Sequence, residues 1–344
     1  MSRVLTAMSG GVDSAVTAAL LREAGHTVAG ATMVLHESAA AELADARRSA
    51  ERLGMEFYAF DWRAEFSQLV QKPFMEIYQA GQTPNPCVIC NKTVKFGLFL
   101  DRAQALGYEK MATGHYARVE LDRGSGRYLL LRAKDAAKDQ SYVLYSLSQE
   151  RLARVLLPMG GMTKQEAREK AETLGLAVAH KHDSQDICFI PDGDYLRFLT
   201  EHGVTPQPGH FIGMDGRDFG PHRGQEAYTL GQRRGLDIPY GTRIYVVAKR
   251  GNDVVLGPNE ALFSRRVFVE DPNWIPFDVL PEGLRAQAKL RYTPKTAACT
   301  VHLTERGAEL RFDEPQRAVT PGQAAVLYDG DVVLGGGTIT GSAD

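Results

Sequence analysis

Ala7-Met8-Ser9-Gly10-Gly11-Val12-Asp13-Ser14 is the stretch whose reading decides the fold. The apolar run Val4 to Met8 leads into it. Ala15 to Ala24 follows, with apolar residues at helical spacing and Gly25 as a stop. The stretch therefore reads as a tight turn from a strand into a helix. Gly10 and Gly11 carry no Cβ, so the backbone there can approach a ligand closely and take left-handed angles. The helix aims unpaired N–H groups and a positive dipole end at the turn, which suits phosphate or pyrophosphate. Ser9 and Ser14 add hydroxyls. Asp13 is out of place beside phosphates unless a divalent cation lies between them. The plainer alternative is a glycine turn with Asp13 and Ser14 as helix caps. No G-x-x-x-x-G-K-[ST] pattern is present, so this is not a Walker A loop.

The 344 residues suit two or three domains, and 44% hydrophobic with 24% charged residues supports real cores. The net charge of −2 lacks the basic excess common in nucleic-acid binders, so any RNA contact must use local patches. No charged leader with an apolar segment is read at the start, and no apolar run approaches membrane-spanning length. The expectation is a cytoplasmic protein without a membrane partner. Four cysteines are too few for a disulfide scaffold of this size. Cys87 and Cys90 form a C-x-x-C, while Cys188 and Cys299 stand alone; reactive thiols or a metal site fit that pattern.

Residues 3 to 60 alternate as β-α-β-α-β, with strands at Thr27 to Val34 and Glu56 to Phe60 and a helix at Glu42 to Leu53. Such alternation predicts a doubly wound parallel sheet with ligands at the strand C-termini. Met33 falls at one such end, where it either fills the core or meets a nucleoside. A helix is predicted from Trp62 to Gln79. Pro84 and Pro86 then break regular structure, and a helix from Thr93 to Leu106 places Cys90 shortly before its N-terminus. That position, with Lys92 and Lys95 nearby, predicts a lowered thiol pKa; two buried apolar cysteines are the alternative. Lys110 to Thr113 reads as a fourth strand ending in Gly114-His115-Tyr116. A hairpin follows over Ala117 to Leu121 and Tyr128 to Arg132. Lys138 to Tyr142 opens a helix, and Thr163 with Glu166 forms a capping box. His180 and His182 beside the cysteines do not have convincing zinc spacing. Beyond about residue 205, strands become short and helices scarce, predicting a small β-rich middle domain and a C-terminal β-barrel. The expected boundaries are 1–196, 197–266 and 267–344. The basic stretch Lys289 to Lys295 either rests on RNA phosphates or is a solvated strand face.

Ser-Gly-Gly-Val-Asp-Ser resembles the signature of the PP-loop ATP pyrophosphatases, which split ATP between its α- and β-phosphates. The chain more widely resembles the tRNA-specific 2-thiouridylases. The matching pieces are Ser9 to Ser14, Thr83-Pro84-Asn85-Pro86, Cys90-Asn91-Lys92 and Thr113 to Tyr116. They continue with Lys138 to Tyr142, Asp183-Ser184, Ile187 to Ile190, Tyr228 to Arg233, Arg291-Tyr292, Val319 to Gln323 and Leu334 to Gly337. They run in the family's order over nearly the whole length.

The resemblance implies that ATP and Mg2+ are used, with ATP on Ala7, Met8, Ser9, Gly10, Gly11, Val12, Asp13 and Ser14. Met33 and Gly114 would surround the nucleoside, and Asp13 would help hold the metal. Uridine O2 would attack the α-phosphate. Cys188 would receive persulfide sulfur from a relay protein or cysteine desulfurase. Cys90 would be the second catalytic thiol, with a Cys90–Cys188 disulfide as one outcome. Asn85, Pro86 and Cys87 would meet the target base, the wobble uridine. His115, Lys138, Asp139, Gln140, Arg291, Tyr292 and Gln323 would contact tRNA. Two departures stand out. Cys87 occupies a place where some relatives carry Asp, so Cys87, Cys90 and Cys188 offer an iron–sulfur cluster as an alternative sulfide carrier. The segment after Met33, Val34 to Ser38, is short and lacks the relatives' Lys-Asn-Trp. The competing readings are an amide-forming PP-loop ligase, with no use for two cysteines, and an RNA-binding or sulfur-carrier protein with a degenerate ATP loop.

Overall fold

The computed structural model describes residues 1–181, 187–238, 241, 243–293 and 295–344. Asp183 and Ser184 of the family resemblance, His182 and Pro294 lie outside them.

The first 34 residues fold as the alternation requires: β1 (Arg3–Ala7), α1 (Val12–Glu23) and β2 (Thr27–Val34). α2 (Ala40–Arg52), β3 (Phe57–Asp61), α3 (Arg63–Phe66) and α4 (Lys72–Gln79) come next, with a π-helical segment, Ser67–Gln71, joining the last two. α5 (Pro86–Cys90) passes through a second π-helical segment, Asn91–Leu98, into α6 (Phe99–Ala105), and β4 (Lys110–Ala112) follows. This helix starts at Pro86, seven residues before the predicted Thr93. Asn85 caps it by accepting from Val88 N at 3.3 Å. Proline is tolerated at the first helical position, where its missing N–H would have no partner anyway. Cys90 is therefore inside a helix, one turn from its start.

β5 (Arg118–Leu121) and β6 (Tyr128–Leu131) form the predicted hairpin. Lys138 to Tyr142 opens only a 3-10 turn, Ser141–Leu144. Asp139 accepts there from Ala133 N, Ser141 N and Ser141 Oγ, binding local donors in place of extending a helix. α7 (Gln149–Leu152), β7 (Val155–Leu156), α8 (Lys164–Thr173) and α9 (Tyr195–Glu201) complete this part, with the capping box of Thr163 and Glu166 in place.

β1, β2, β3, β4 and β7 form one parallel sheet in the order β3-β2-β1-β4-β7. The order reverses at β1, so the crevice lies beside the Ser9–Ser14 turn, where such sheets bind ligands. β8 (Gly209–Gly213), β9 (Asp218–His222), β10 (Tyr245–Arg250) and β11 (Asp253–Gly257) make the small middle sheet. β12 (Phe263–Trp274), β13 (Leu284–Lys289), β14 (Ala297–Leu303), β15 (Gly307–Arg317), β16 (Ala324–Asp329) and β17 (Val332–Ala343) form an antiparallel barrel, closed by pairing of β12 with β17. The hairpin β5–β6 joins this barrel through Leu131 and Val332. One apolar core crosses the seam, with Leu5, Phe99 and Met111 from the α/β part and Ala324, Val326, Tyr328 and Val333 from the barrel. No helix among the described residues is long and apolar enough to cross a membrane.

Candidate active site

Gly10 takes φ +70°, and a Cβ there would sit 2.3 Å from the Glu42 carbonyl oxygen and 3.0 Å from Asp45 Cβ. Only glycine meets both demands, so the turn can fold under the start of α2. Gly11 is the N-cap of α1 and supplies no side-chain acceptor, which leaves the first N–H groups of the helix open to an anion. Ser14 Oγ accepts from Ser9 N at 3.2 Å and donates to Gly11 O at 3.1 Å, bracing the turn. Gly114 closes the other side: a Cβ on it would come 2.9 Å from Asp13 C and Ser14 N. The cradle thus fits a phosphate chain held by backbone.

Lys164 Nζ donates to Asp13 Oδ1 at 2.9 Å and Oδ2 at 2.8 Å, and Tyr116 Oη donates to Oδ1 at 2.7 Å. Asp13 therefore already has a cation beside it. Lys181 Nζ binds Gly10 O at 3.1 Å and Asp45 Oδ2 at 2.7 Å, holding the pKa of Asp45 below the usual carboxylate value. Lys164 and Lys181 carried no signal in the linear pattern. Each comes from a segment more than 150 residues downstream, brought to the turn by the packing of α8 and the chain that follows.

Cys90 shares an apolar wall with Phe66, Val70 and Val94, and with Met33, Leu35, Trp62 and Phe189. Met33 and Trp62 lie at the C-terminal ends of β2 and β3, so the thiol is on the same side of the sheet as the turn. Burial pushes the Cys90 thiol up to about 12, against a smaller lowering by Lys95. The predicted lowered pKa is therefore corrected: the helix begins before Cys90, and apolar side chains enclose it. Cys188 has exposed surface, yet the protein crowded round it raises its thiol above the ordinary value, again partly offset by Lys95. Phe189 anchors it, packing edge-on against Phe66 at 5.5 Å and Phe74 at 5.3 Å. Cys87 is exposed, and both it and Cys188 lie close enough to Cys90 to add to the rise of its thiol. All three are free, with no bond between Cys90 and Cys188.

The residues expected on tRNA divide. Lys138 and Gln140 are half-buried, and Gln140 Oε1 accepts from Tyr116 N at 2.9 Å. His115 is buried beside Phe96, its Nδ1 2.7 Å from Thr113 Oγ1, and burial holds its pKa well below the usual histidine value. Asp139 is buried too, 3.4 Å from the buried Lys289 Nζ across the seam. Both side chains are buried in the tRNA-free structure. Tyr292 is 56% exposed, but its hydroxyl donates to Asp139 O at 3.2 Å. Arg291 Nη2 donates to the carbonyls of Arg317 and Ala318, and Gln323 Nε2 to those of Thr83 and Pro84.

The reversed sheet order, the glycine turn opening α1 and the thiol wall on the same side define a PP-loop α/β nucleotide-binding protein. A family model described as "tRNA methyl transferase HUP domain" matches residues 2–192. Models described as "tRNA methyl transferase PRC-barrel domain" and "Aminomethyltransferase beta-barrel domain" match 197–257 and 264–339. The chain is 48% identical over 358 residues to a "tRNA-specific 2-thiouridylase MnmA" of Heliobacterium modesticaldum, covering 99% of this chain and 93% of that one. It is 46% identical to the protein of the same name from Carboxydothermus hydrogenoformans, covering 98% and 97%. A solved 4-thiouridine synthetase–RNA complex with bound ATP overlaps it at TM-score 0.38 and 18% identity, over 58% of this chain and 50% of that one. The chain belongs to the tRNA-specific 2-thiouridylase family.

Proposed function

We propose that the protein is an ATP-dependent tRNA sulfurtransferase that adenylates O2 of the wobble uridine and replaces that oxygen with sulfur. The observation that carries this reading is the gathering of three free thiols on the same side of the sheet as an open, glycine-built phosphate turn. An amide-forming ligase has no use for the thiols. In the proposed reaction, ATP phosphates lie on Ser9 to Ser14, and uridine O2 attacks the α-phosphate with pyrophosphate leaving. Lys164 and Lys181 supply positive charge beside that turn.

Sulfur arrives as a persulfide on Cys188 from a donor protein. Cys90 thiolate attacks the Cys188 sulfur of that persulfide. A Cys90–Cys188 disulfide forms, hydrosulfide leaves, and hydrosulfide attacks C2 of the activated base to expel AMP. An external thiol reductant then restores both cysteines. Cys90 is a protonated, enclosed thiol in the tRNA-free protein, so its activation belongs to the RNA-bound state.

Two metal groups were expected, Mg2+ at Asp13 and an iron–sulfur cluster on the thiols. Both oxygens of Asp13 accept from Lys164, so a metal ion on this carboxylate would have to share it with that ammonium or displace it. Among the described residues, no three His, Cys, Asp or Glu side chains stand in ligand geometry for a metal ion, so the persulfide route, which needs only two of the thiols at a time, is the one proposed. The test is anaerobic incubation with ATP, tRNA and a persulfide-charged donor protein, reading 2-thiouridine by nucleoside mass spectrometry and pyrophosphate in parallel. Both products are expected, with thiolation lost in Cys90→Ser and in Cys188→Ser. Full thiolation by either variant overturns the persulfide route, and no pyrophosphate with substrate tRNA overturns the activation step.

A further inference from the structure

The barrel grips the loop that carries the Cys90 helix. Thr83 N donates to Pro321 O at 2.9 Å. Gln323 Nε2 donates to Thr83 O at 2.9 Å and to Pro84 O at 3.1 Å. Gly322, at φ +89°, lies so close that a Cβ would be 2.8 Å from Thr83 O and 3.1 Å from Thr83 N. The gripping turn is itself anchored: Gly322 N donates to Ile339 O, Ile339 N donates to Gln323 O, and Arg291 holds the carbonyls on either side of the positive-φ Ala318.

The gripped loop is stiff. Pro84 and Pro86 fix two φ angles within three residues. Asn85 between them is the helix cap, and Cys90 lies on the helix that Pro86 begins. A shift at Thr83 therefore moves α5 and Cys90 with it. Gln323 has two amide hydrogens, and two carbonyls use them. While the grip holds, only its Oε1 is left for an RNA group.

We propose that Gln323 is a positioning residue, which with Gly322 fixes the Thr83–Pro86 loop and so sets the place and enclosure of Cys90. This deepens the reading of Cys90 as a reacting thiol and rests on it. The consequence is that the barrel contributes to sulfur transfer as a support of the catalytic helix, before any RNA arrives.

The test uses the full chain without tRNA or ATP, so the activity reading does not enter. Alkylation of each cysteine is followed by peptide mass spectrometry in the parent, Gln323→Met and Gly322→Ala. Cys299, buried in the barrel, reports global opening. Loss of two hydrogen bonds should raise the local opening of the loop, and with it Cys90 labelling, by about thirtyfold. Cys299 labelling should stay at the parent rate. Gly322→Ala should act in the same direction, although it has no side chain able to reach RNA. Unchanged Cys90 labelling in both variants overturns the proposal and leaves Gln323 as an RNA contact alone. Parallel acceleration of Cys90 and Cys299 also overturns it, because the opening is then global. A second readout is hydrogen exchange at the amides of residues 87–90, which should rise in the variants while the barrel amides keep their protection.

Discussion

Replacing Lys289 by Met tests whether Asp139 serves the seam or the RNA. Lys289 Nζ stands 3.4 Å from Asp139 Oδ2, with 5% and 7% of the two residues exposed. At an effective dielectric near 20, a pair at that distance attracts by about 5 kcal/mol, against which the desolvation of both charges must be set. Burial does pull the Lys289 ammonium below the usual lysine value, despite the carboxylate beside it. Lys289→Met strands a buried carboxylate, a change that costs about 3–5 kcal/mol in comparable sites. Three hydrogen bonds remain on Asp139, from Ala133 N, Ser141 N and Ser141 Oγ, so the lower end applies. A loss of about 3 kcal/mol should lower the unfolding midpoint by roughly 5–10 °C. Asp139→Asn/Lys289→Met should recover most of that loss, since neither charge is then buried, giving a coupling of about 2 kcal/mol in a double-mutant cycle. Differential scanning calorimetry supplies the midpoints, and filter binding supplies tRNA affinity. A Lys289→Met protein with the parent midpoint and weakened tRNA binding would refute the seam role.

Cys90 should label at least about tenfold more slowly at pH 8 than a small-molecule thiol of ordinary pKa, because burial raises its pKa and leaves few thiolates, and the higher nucleophilicity of each offsets only part of that deficit; equal rates for Cys90 and the free thiol would contradict this. The same shift makes stability pH-dependent: the folded state holds the Cys90 proton more tightly than the unfolded chain. Its contribution is complete below about pH 9 and lost as pH rises toward about 12, as denaturant titrations across that range will read. Lys164→Met removes the cation from Asp13 and should raise the KM for ATP about tenfold or more in pyrophosphate release, with tRNA affinity unchanged. Gly10→Ala must accept both a left-handed angle and a 2.3 Å approach to Glu42 O, and should abolish protection of the protein by ATP in thermal shift assays.

The parts legible in the linear pattern were those governed by neighbours in sequence. β2 falls on Thr27–Val34 as its apolar run predicts, and Thr163 and Glu166 close their capping box within one turn. The parallel sheet and the barrel followed from periodicity and from the change of texture near residue 205. The linear pattern places Cys90 ahead of its helix because Pro84 and Pro86 break regular structure, yet the first turn of a helix accepts proline and the helix starts at Pro86. The rise of its thiol has a different origin. Lys92 and Lys95 are visible as neighbours, while the enclosing Phe66, Trp62 and Phe189 come from segments well apart in the chain.

What the sequence alone determined is the order of elements, the strand–turn–helix form of Ser9 to Ser14, and the family, because each rests on short-range pattern or on an ordered set of local motifs. Tertiary structure decided the electrostatics and the mechanical ties. Asp13 meets Lys164 across 151 residues, Asp139 meets Lys289 across 150, and Gln323 reaches Thr83 across 240. Charge pairing and burial depend on distance in space, which falls or grows with packing and not with separation along the chain. Several residues expected on tRNA, among them Asp139, Tyr292 and Gln323, also make contacts between the α/β part and the barrel.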